Sequence, residues 1–374
     1  MSQAAQALQT LPWASYSDPE VAALERERIF HRAWQYVGHL GELQGPGSYF
    51  ATQAGGVPVV ATLDHEGELR GFLNVCRHRG TVVASGAHRR GTLQCPYHAW
   101  TYGLDGELRA APRSSRDPSF DPAGIGLRPV AIATWGPFVF SNPDPHCEPL
   151  EDALGDLPDV VAGGGLDVAQ LRFHTRVHYE LRANWKIAIE NYLECYHCAV
   201  NHPSLVEVID ERSLRLDANG LRVSQQAPAH RRVSQGTAPF DARGPLASAH
   251  YHLLLPATKL NSLPGHPNLS IGPLWPTGTD RCEGFLDYFF GAEADDAWVA
   301  DLLAIDDVVG GEDTALIEAA QAGTANGILA HGRLLAGSDD LVAHFQSYVR
   351  ERLAPYGDRS AVDGQRSTIG GQRS

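Results

Sequence analysis

The sequence predicts an α+β chain in two parts, a small all-β module followed by a larger part that combines an antiparallel sheet with helices. Three observations carry this reading. From about residue 38 to 145, short β-rich runs are separated by turn signals such as "HEGE", "LDGE" and "NPDP", the texture of an all-β module of about a hundred residues. Beyond it, "RFHTRVHYELRA" sets Phe173, Thr175, Val177, Tyr179 and Leu181 against charged or imidazole neighbours, the period of a half-buried strand. Strand-like runs return near 251–256 and 283–290, with helical segments before, between and after the strands.

Taken in order, residues 17 to 35 open with an acidic first turn and carry Val21, Leu24, Ile29 and Phe30 on a helical period, which predicts a helix. The strand at 172–181 passes into a helix beginning near Asn184, a good N-cap residue. Residues 211 to 250 are polar and rich in Gly, Pro, Ser and Arg, and are expected to contain a long loop or lid. Two helices close the fold at about 312–322 and 339–353. The polar tail from Asp358 repeats "GQRS" and is expected to be disordered.

Composition narrows the function. The chain has 374 residues, 43% hydrophobic and 20% charged, which is the balance of a soluble globular enzyme. A net charge of -14, dispersed along the chain, argues against nucleic acid as a partner. No apolar run approaches the roughly 20 residues of a membrane helix, and the start lacks a leader pattern, so the expected location is cytoplasmic. Neither a Walker A pattern nor a G-x-G-x-x-G after a strand occurs, so nucleotide binding has no support. Six cysteines are too few for a disulfide scaffold and point to metal binding or catalysis.

Four of these cysteines cluster. "CRHRG" and "CPYHAW" give Cys76-x-His78 and Cys95-x-x-His98 on two loops of the β module. Such a set could hold structural zinc or a [2Fe-2S] cluster with two thiolates on one iron and two imidazoles on the other. Spacing separates the two. A zinc finger offers its cysteines first and its histidines second, whereas each loop here offers one of each, and the Asp105-Gly106 turn marks a hairpin beside them.

The second cluster is "NWKIAIENYLECYHCAVNHP", residues 184–203. Glu194 and His197 are three apart and would share one helix face. His202, five beyond His197, would sit about 140° away on an unbroken helix. Pro203 pushes its predecessor out of helical geometry, so the helix should end before His202 and let that imidazole return towards His197. Two imidazoles and a carboxylate make the facial triad of non-haem Fe(II) sites. The missing carboxylate is assigned to "GGEDTALIEAAQAG", where Asp313 shares a helix face with Leu316, Ile317 and Ala320, a costly place for a charge unless a cation waits there. Glu312 is the alternative, and either acid could instead cap a helix N-terminus.

Together these motifs resemble the Rieske non-haem iron oxygenases, the ring-hydroxylating oxygenase alpha subunits and their demethylating relatives. The resemblance extends to Trp100 and to "WGPF" at 135–138, which looks like the proline loop that covers such clusters. It implies a Rieske domain at 38–148, an N-terminal helical segment at 1–37 packed on a helix-grip-like catalytic domain at 149–357, and a tail at 358–374. It further implies a [2Fe-2S] cluster on Cys76, His78, Cys95 and His98, a mononuclear Fe(II) on His197, His202 and Asp313, and a head-to-tail homotrimer. Electrons would come from NAD(P)H only indirectly, through a separate flavin/iron-sulfur reductase or ferredoxin, and O₂ would be used to hydroxylate or dealkylate a small substrate. Glu194 occupies the position of an acid that links this iron to the Rieske histidine of a neighbouring subunit. Many members carry aspartate there, and glutamate is associated with relatives acting on quaternary ammonium compounds. Cys195 and Cys198 are expected to pack as small apolar residues beside His197, the alternative being a C-x-x-C redox pair, for which a thioredoxin-like context is lacking. Tyr251, Trp275, Tyr288 and Phe290 are candidates for an aromatic cage. The alternatives are ring dihydroxylation, an electron carrier without oxygenase activity, and a zinc hydrolase.

Overall fold

The computed structural model describes residues 9–235 and 240–354; the tail expected from Asp358 lies outside them. Helix α1 spans Pro19–Arg28, capped by the Asp18 side chain on the Glu20 N–H. It stops short of the expected residue 35. Ile29 and Phe30 leave the helical path and turn inward, Phe30 packing edge-on against Trp185 at 4.8 Å, and the chain continues into strand β1, Gln35–His39.

The first sheet joins β1 to β2 (Ser48–Ala54), β3 (Val57–Leu63), β4 (Leu69–Leu73), β5 (Ala87–Arg89), β9 (Pro129–Trp135) and β10 (Phe138–Asn142), in the order β1-β10-β9-β4-β3-β2-β5. A small sheet, β6 (Thr92–Gln94), β7 (Thr101–Gly103) and β8 (Leu108–Ala110), stands beside it. The expected Asp105-Gly106 turn joins β7 to β8, with Gly106 at φ +84.

The second sheet is antiparallel, in the order β11-β17-β16-β15-β14-β13-β12. Its strands are β11 (Arg172–Leu181), β12 (Arg215–Asn219), β13 (Arg222–Pro228), β14 (Ser248–Leu254), β15 (Thr258–Ser262), β16 (Asn268–Pro276) and β17 (Cys282–Phe290). β11 is a strand as expected, but at the sheet edge Phe173 and Val177 stay exposed. The supposed loop at 211–250 instead contains the β12–β13 hairpin, closed by Gly220-Leu221 with Gly220 at φ +58. The glycine permits the left-handed turn that a hairpin of this length requires. β15 and β16 were not anticipated, because both lie inside the sheet and β16, with eight of its nine residues buried, shows no alternation.

This sheet has two differently used faces. Phe285 and Phe289 pack towards the first sheet, against Tyr36 and Phe138. On the same side Tyr36 donates a hydrogen bond to Asp287 at 2.6 Å, and Arg176 joins Asp287 to Glu42. One apolar core therefore runs through both parts of the chain. The opposite face, carrying Gln225, Tyr251, Lys259, Asn261 and Leu286, looks onto the helices that build the site.

Those helices are α2 (Trp185–Tyr192), α3 (Cys198–Asn201), α4 (Asp296–Thr324) and α5 (Asp340–Leu353). α4 has 29 residues and starts sixteen before the expected 312, capped by Asp295 on the Trp298 N–H. Gly310-Gly311 lowers helix propensity, but burial of Trp298, Val299, Leu302 and Ile305 before the pair and of Ile317 after it carries the helix through. Glu312 and Asp313 are thus mid-helix, which removes the capping reading.

Candidate metal centres

The cysteine–histidine loops are built alike. In each, the cysteine carbonyl accepts a hydrogen bond from the N–H four residues on, Gly80 to Cys76 and Ala99 to Cys95, both at 3.0 Å. The closing residue is left-handed in both, at φ +77 for Gly80 and +56 for Ala99. Asn74 pins the first loop, its amide oxygen accepting from the Val83 and Ala84 N–H groups and its amide nitrogen donating to the Ala84 carbonyl. The two thiols are buried and unlinked, with the Tyr102 hydroxyl 3.3 Å from Cys76 Sγ. His78 and His98 are exposed, their rings 4.7 Å apart, and His78 stacks on Trp100 at 5.0 Å. Two sheltered sulfurs facing two exposed imidazoles fit a [2Fe-2S] cluster with its histidine-bound iron at the surface.

"WGPF" does not cover these loops. Gly136-Pro137 is the two-residue turn of the β9–β10 hairpin, and its contacts are with Leu40 and Val168. The segment beside the loops is 117–126: Phe120 packs edge-on to Trp100 and the Gly126 carbonyl accepts from Arg77.

In the second cluster, Asn184 caps α2 as expected, accepting from the Lys186 N–H. α2 ends at Tyr192, earlier than the sequence implied, and the chain turns before α3 resumes at Cys198. Glu194 and His197 therefore share a turn rather than a helix face. Glu194 organises it, accepting from the N–H groups of Tyr196 and His197. His202 follows α3 with non-helical geometry, as Pro203 requires, and swings back as expected.

Three donor atoms then converge. His197 Nε2 and His202 Nε2 are 3.0 Å apart, and Asp313 Oδ1 is 3.1 Å from His202 Nε2 and 3.4 Å from His197 Nε2. Ligands about 2.1 Å from a metal on adjacent octahedral positions are about 3.0 Å from one another, so the triangle has the size of an octahedral face. The other ring nitrogens are held from behind: His197 Nδ1 lies 2.5 Å from Glu194 and His202 Nδ1 2.8 Å from Glu312. A carboxylate on each Nδ1–H fixes the tautomer that leaves Nε2 free for a metal. Glu312, weighed from sequence as an alternative to Asp313, thus faces the back of His202. The i, i+1 pair sends one acid to the triangle and one behind it.

Charge distribution agrees. Burial disfavours the charged form of Asp313, yet its contacts with both imidazoles hold its carboxyl down at about 2. Burial would also lower His197, but Asp313 and Glu194 push it up to about 9, and His202 is raised by Asp313 and Glu312. Three carboxylates around two imidazoles make a site for a cation. Cys198 also lies near both rings, but it is joined to Cys195 in a disulfide rather than packed as a free thiol, and offers no thiolate. A second cluster, His39, Glu42 and Asp287, is already filled by the Arg176 guanidinium.

Beside the triangle lies a cavity of about 150 Å³ lined by Tyr192, Gln225, Tyr251, Lys259, Asn261 and Asp306, among others. Of the four aromatic candidates only Tyr251 faces it. Trp275 packs on Phe285 across the sheet, Phe290 on Trp298, and Tyr288 donates to Asp306. Tyr192 and Lys259 were not identified from sequence; the alternating "TKLNS" strand was the available signal for Lys259, and Tyr192 lies at the end of α2.

Residues 33–128 match the Rieske [2Fe-2S] domain family and residues 168–355 the ring hydroxylating alpha subunit (catalytic domain) family. The chain belongs to the Rieske non-haem iron oxygenases. It is 30% identical over 351 residues to the carnitine monooxygenase oxygenase subunit of Escherichia coli K12, covering 91% of this chain and 93% of that one. It is 30% identical over 353 residues to the chloroplastic choline monooxygenase of Spinacia oleracea, covering 92% and 78%. The crystal structure of the quaternary ammonium Rieske monooxygenase CntA in complex with L-carnitine superposes with a TM-score of 0.80 at 27% identity, covering 92% and 96%. This Rieske oxygenase is therefore an oxidoreductase, the terminal oxygenase component that carries a Rieske cluster and a mononuclear iron. No helix among the described residues is long and apolar enough to cross a membrane.

Proposed function

We propose that this oxygenase hydroxylates or oxidatively dealkylates a small quaternary ammonium compound, with Cys76, His78, Cys95 and His98 holding the cluster and His197, His202 and Asp313 holding the mononuclear iron. The observation that carries the reading is the octahedral-face triangle opening onto a half-enclosed cavity with aromatic and polar side chains in its wall. An iron held there would supply the centre for O₂ activation, with electrons reaching it through the cluster. The protein's own contribution is positional. Glu194 and Glu312 hold the two imidazoles in one tautomer, while Tyr192 and Tyr251 contribute aromatic rings to the wall of the cavity in which an onium group would sit.

Residues 38–148 form the cluster domain in this reading, with 1–37 and 149–357 around the iron. The exposed His78 and His98 at one end of the path, and exposed Tyr196 and Val200 beside Glu194 at the other, support a head-to-tail trimer in which Glu194 connects His197 to His98 of the next copy. A cyclic heterologous interface closes such a ring. The electron donor is a separate reductase or ferredoxin, and the location is cytoplasmic. The test is an oxygen-uptake assay with reductase and NAD(P)H over onium compounds and aromatic hydrocarbons. Product formation matched to oxygen uptake is expected with an onium compound. Coupling confined to aromatic hydrocarbons would contradict the reading.

A further inference from the structure

Lys259 stands at an unusual place for a lysine. β15 is an interior strand of the sheet, and its burial alternates, with Thr258, Leu260 and Ser262 buried on one face and Lys259 and Asn261 turned to the cavity on the other. A cation in the middle of a sheet is expensive to desolvate and is kept where it has a partner. Yet among the described residues no carboxylate lies within 4.0 Å of its ammonium. Its neighbours are the faces of Tyr179 at 4.7 Å and Tyr192 at 5.6 Å. Asp306, which lines the same cavity, is engaged by the Tyr288 hydroxyl.

The charge is nonetheless present. Burial favours the neutral amine, but Tyr179, Asp313 and Asp306 together raise the Lys259 pKa. A second unfilled group sits on the same wall: the Tyr251 hydroxyl is buried and has no hydrogen-bond partner among the described residues. A charged donor without an anion and a hydroxyl without an acceptor, both on the wall of one cavity, describe a site for an anionic group.

We infer that Lys259 anchors a carboxylate of the substrate, so that the enzyme selects zwitterionic ammonium carboxylates over ammonium alcohols. The inference rests on the quaternary ammonium reading above and narrows it. It also separates two kinds of relative, since L-carnitine carries a carboxylate and choline does not. A cationic anchor in the wall would give that carboxylate a partner other than the metal, so that it would not compete with His197, His202 and Asp313 for the ion. Lys259 is here a specificity-determining residue and not a metal ligand.

The test is calorimetric titration of the oxidised holoenzyme, without reductant, using three matched probes. Glycine betaine has both charges, choline lacks the carboxylate, and 3,3-dimethylbutanoate keeps the carboxylate but replaces the onium nitrogen by carbon. Wild-type protein should bind glycine betaine at least about tenfold more tightly than choline. Lys259→Met should weaken glycine betaine on the order of 30-fold, the size of one charge-assisted hydrogen bond, and move choline by less than about threefold. Lys259→Arg should retain most of the affinity, and an unchanged cluster spectrum certifies the fold of both variants. Tighter binding of choline in the wild type, or a loss below about threefold for glycine betaine in a folded Lys259→Met, overturns the inference. Dimethylbutanoate binding as tightly as glycine betaine, with the same loss in Lys259→Met, would remove the onium reading and leave the carboxylate anchor standing.

Discussion

Both proposed metal centres of this oxygenase bring two imidazoles together, but they are made differently. His78 and His98 stand exposed on two short loops, each of which brings its own buried cysteine. His202 is 1% exposed, and its partner Asp313 comes from a helix 111 residues further along the chain. The first centre is a local device, shaped by backbone turns at Gly80 and Ala99 and opened to the surface where electrons arrive. The second is a tertiary device, held from behind by Glu194 and Glu312 and set beside a half-enclosed cavity that keeps a substrate out of bulk water. The contrast teaches that electron transfer needs access, while oxygen chemistry needs a fixed and sheltered set of ligands.

Glu194 is where the two devices would meet, and the largest effect is expected there. Its carboxylate contacts His197 Nδ1 and sits beside the exposed Tyr196, so an ionised group should matter more than its bulk. Glu194→Gln should keep the fold and both metal sites, yet slow reoxidation of the prereduced cluster by O₂ and substrate by orders of magnitude in rapid-mixing absorbance. Reoxidation at the wild-type rate would reduce Glu194 to a residue that shapes its turn.

The next effect should reach only the enclosed centre. Lys186 on α2 is fully buried and donates to Glu25 at 2.5 Å, and Trp185 donates to the other oxygen of the same carboxylate. Glu25→Ala would strand the ammonium and cost about 3–5 kcal/mol. The melting temperature should fall and mononuclear iron should become easier to strip, while the cluster spectrum stays unchanged until unfolding. Simultaneous loss of both signals at low temperature would mean that the two centres are not separately supported.

A smaller effect concerns Glu190, also on α2, which accepts hydrogen bonds from Tyr16 and Gln346. Burial raises its pKa to about 7. Because the folded state holds this proton more tightly than the unfolded state, stability from this group falls as pH rises from about 4.5 to about 7, and the penalty is complete above that. Glu190→Gln removes the charge, so above pH 7 it should melt higher than wild type by an amount worth about 1–3 kcal/mol, the difference vanishing below about pH 4.5. A constant difference across that range would show that the carboxyl is not the titrating group.

The same contrast explains what could be read in the sequence. Cys76, His78, Cys95 and His98 announce themselves because their spacing is contained in two short motifs and a hairpin turn. His202 followed from Pro203, and Asp313 from its charge on an apolar stripe. The turn at Glu194 to His197, the early start of α4 and the role of Glu312 were hidden, because helix breaks and helix continuity there are decided by packing on the sheet and not by local propensity. Lys259 was silent for the same reason: a lysine in "TKLNS" gains meaning only when β15 is seen to lie inside a sheet with its polar face over the cavity. The Cys195 to Cys198 bond depended on a turn that helical periodicity did not predict.

The central claim is that one chain builds two iron sites that do not depend on each other. Iron content with low-temperature magnetic resonance, on wild type and on Asp313→Ala purified without air, tests it directly. The wild type should contain about three irons per chain, two in the cluster and one at the triangle. Asp313→Ala should contain about two, with the reduced-cluster resonance unchanged. A wild type with about two irons, or a variant whose cluster resonance is lost along with the mononuclear iron, would contradict the account.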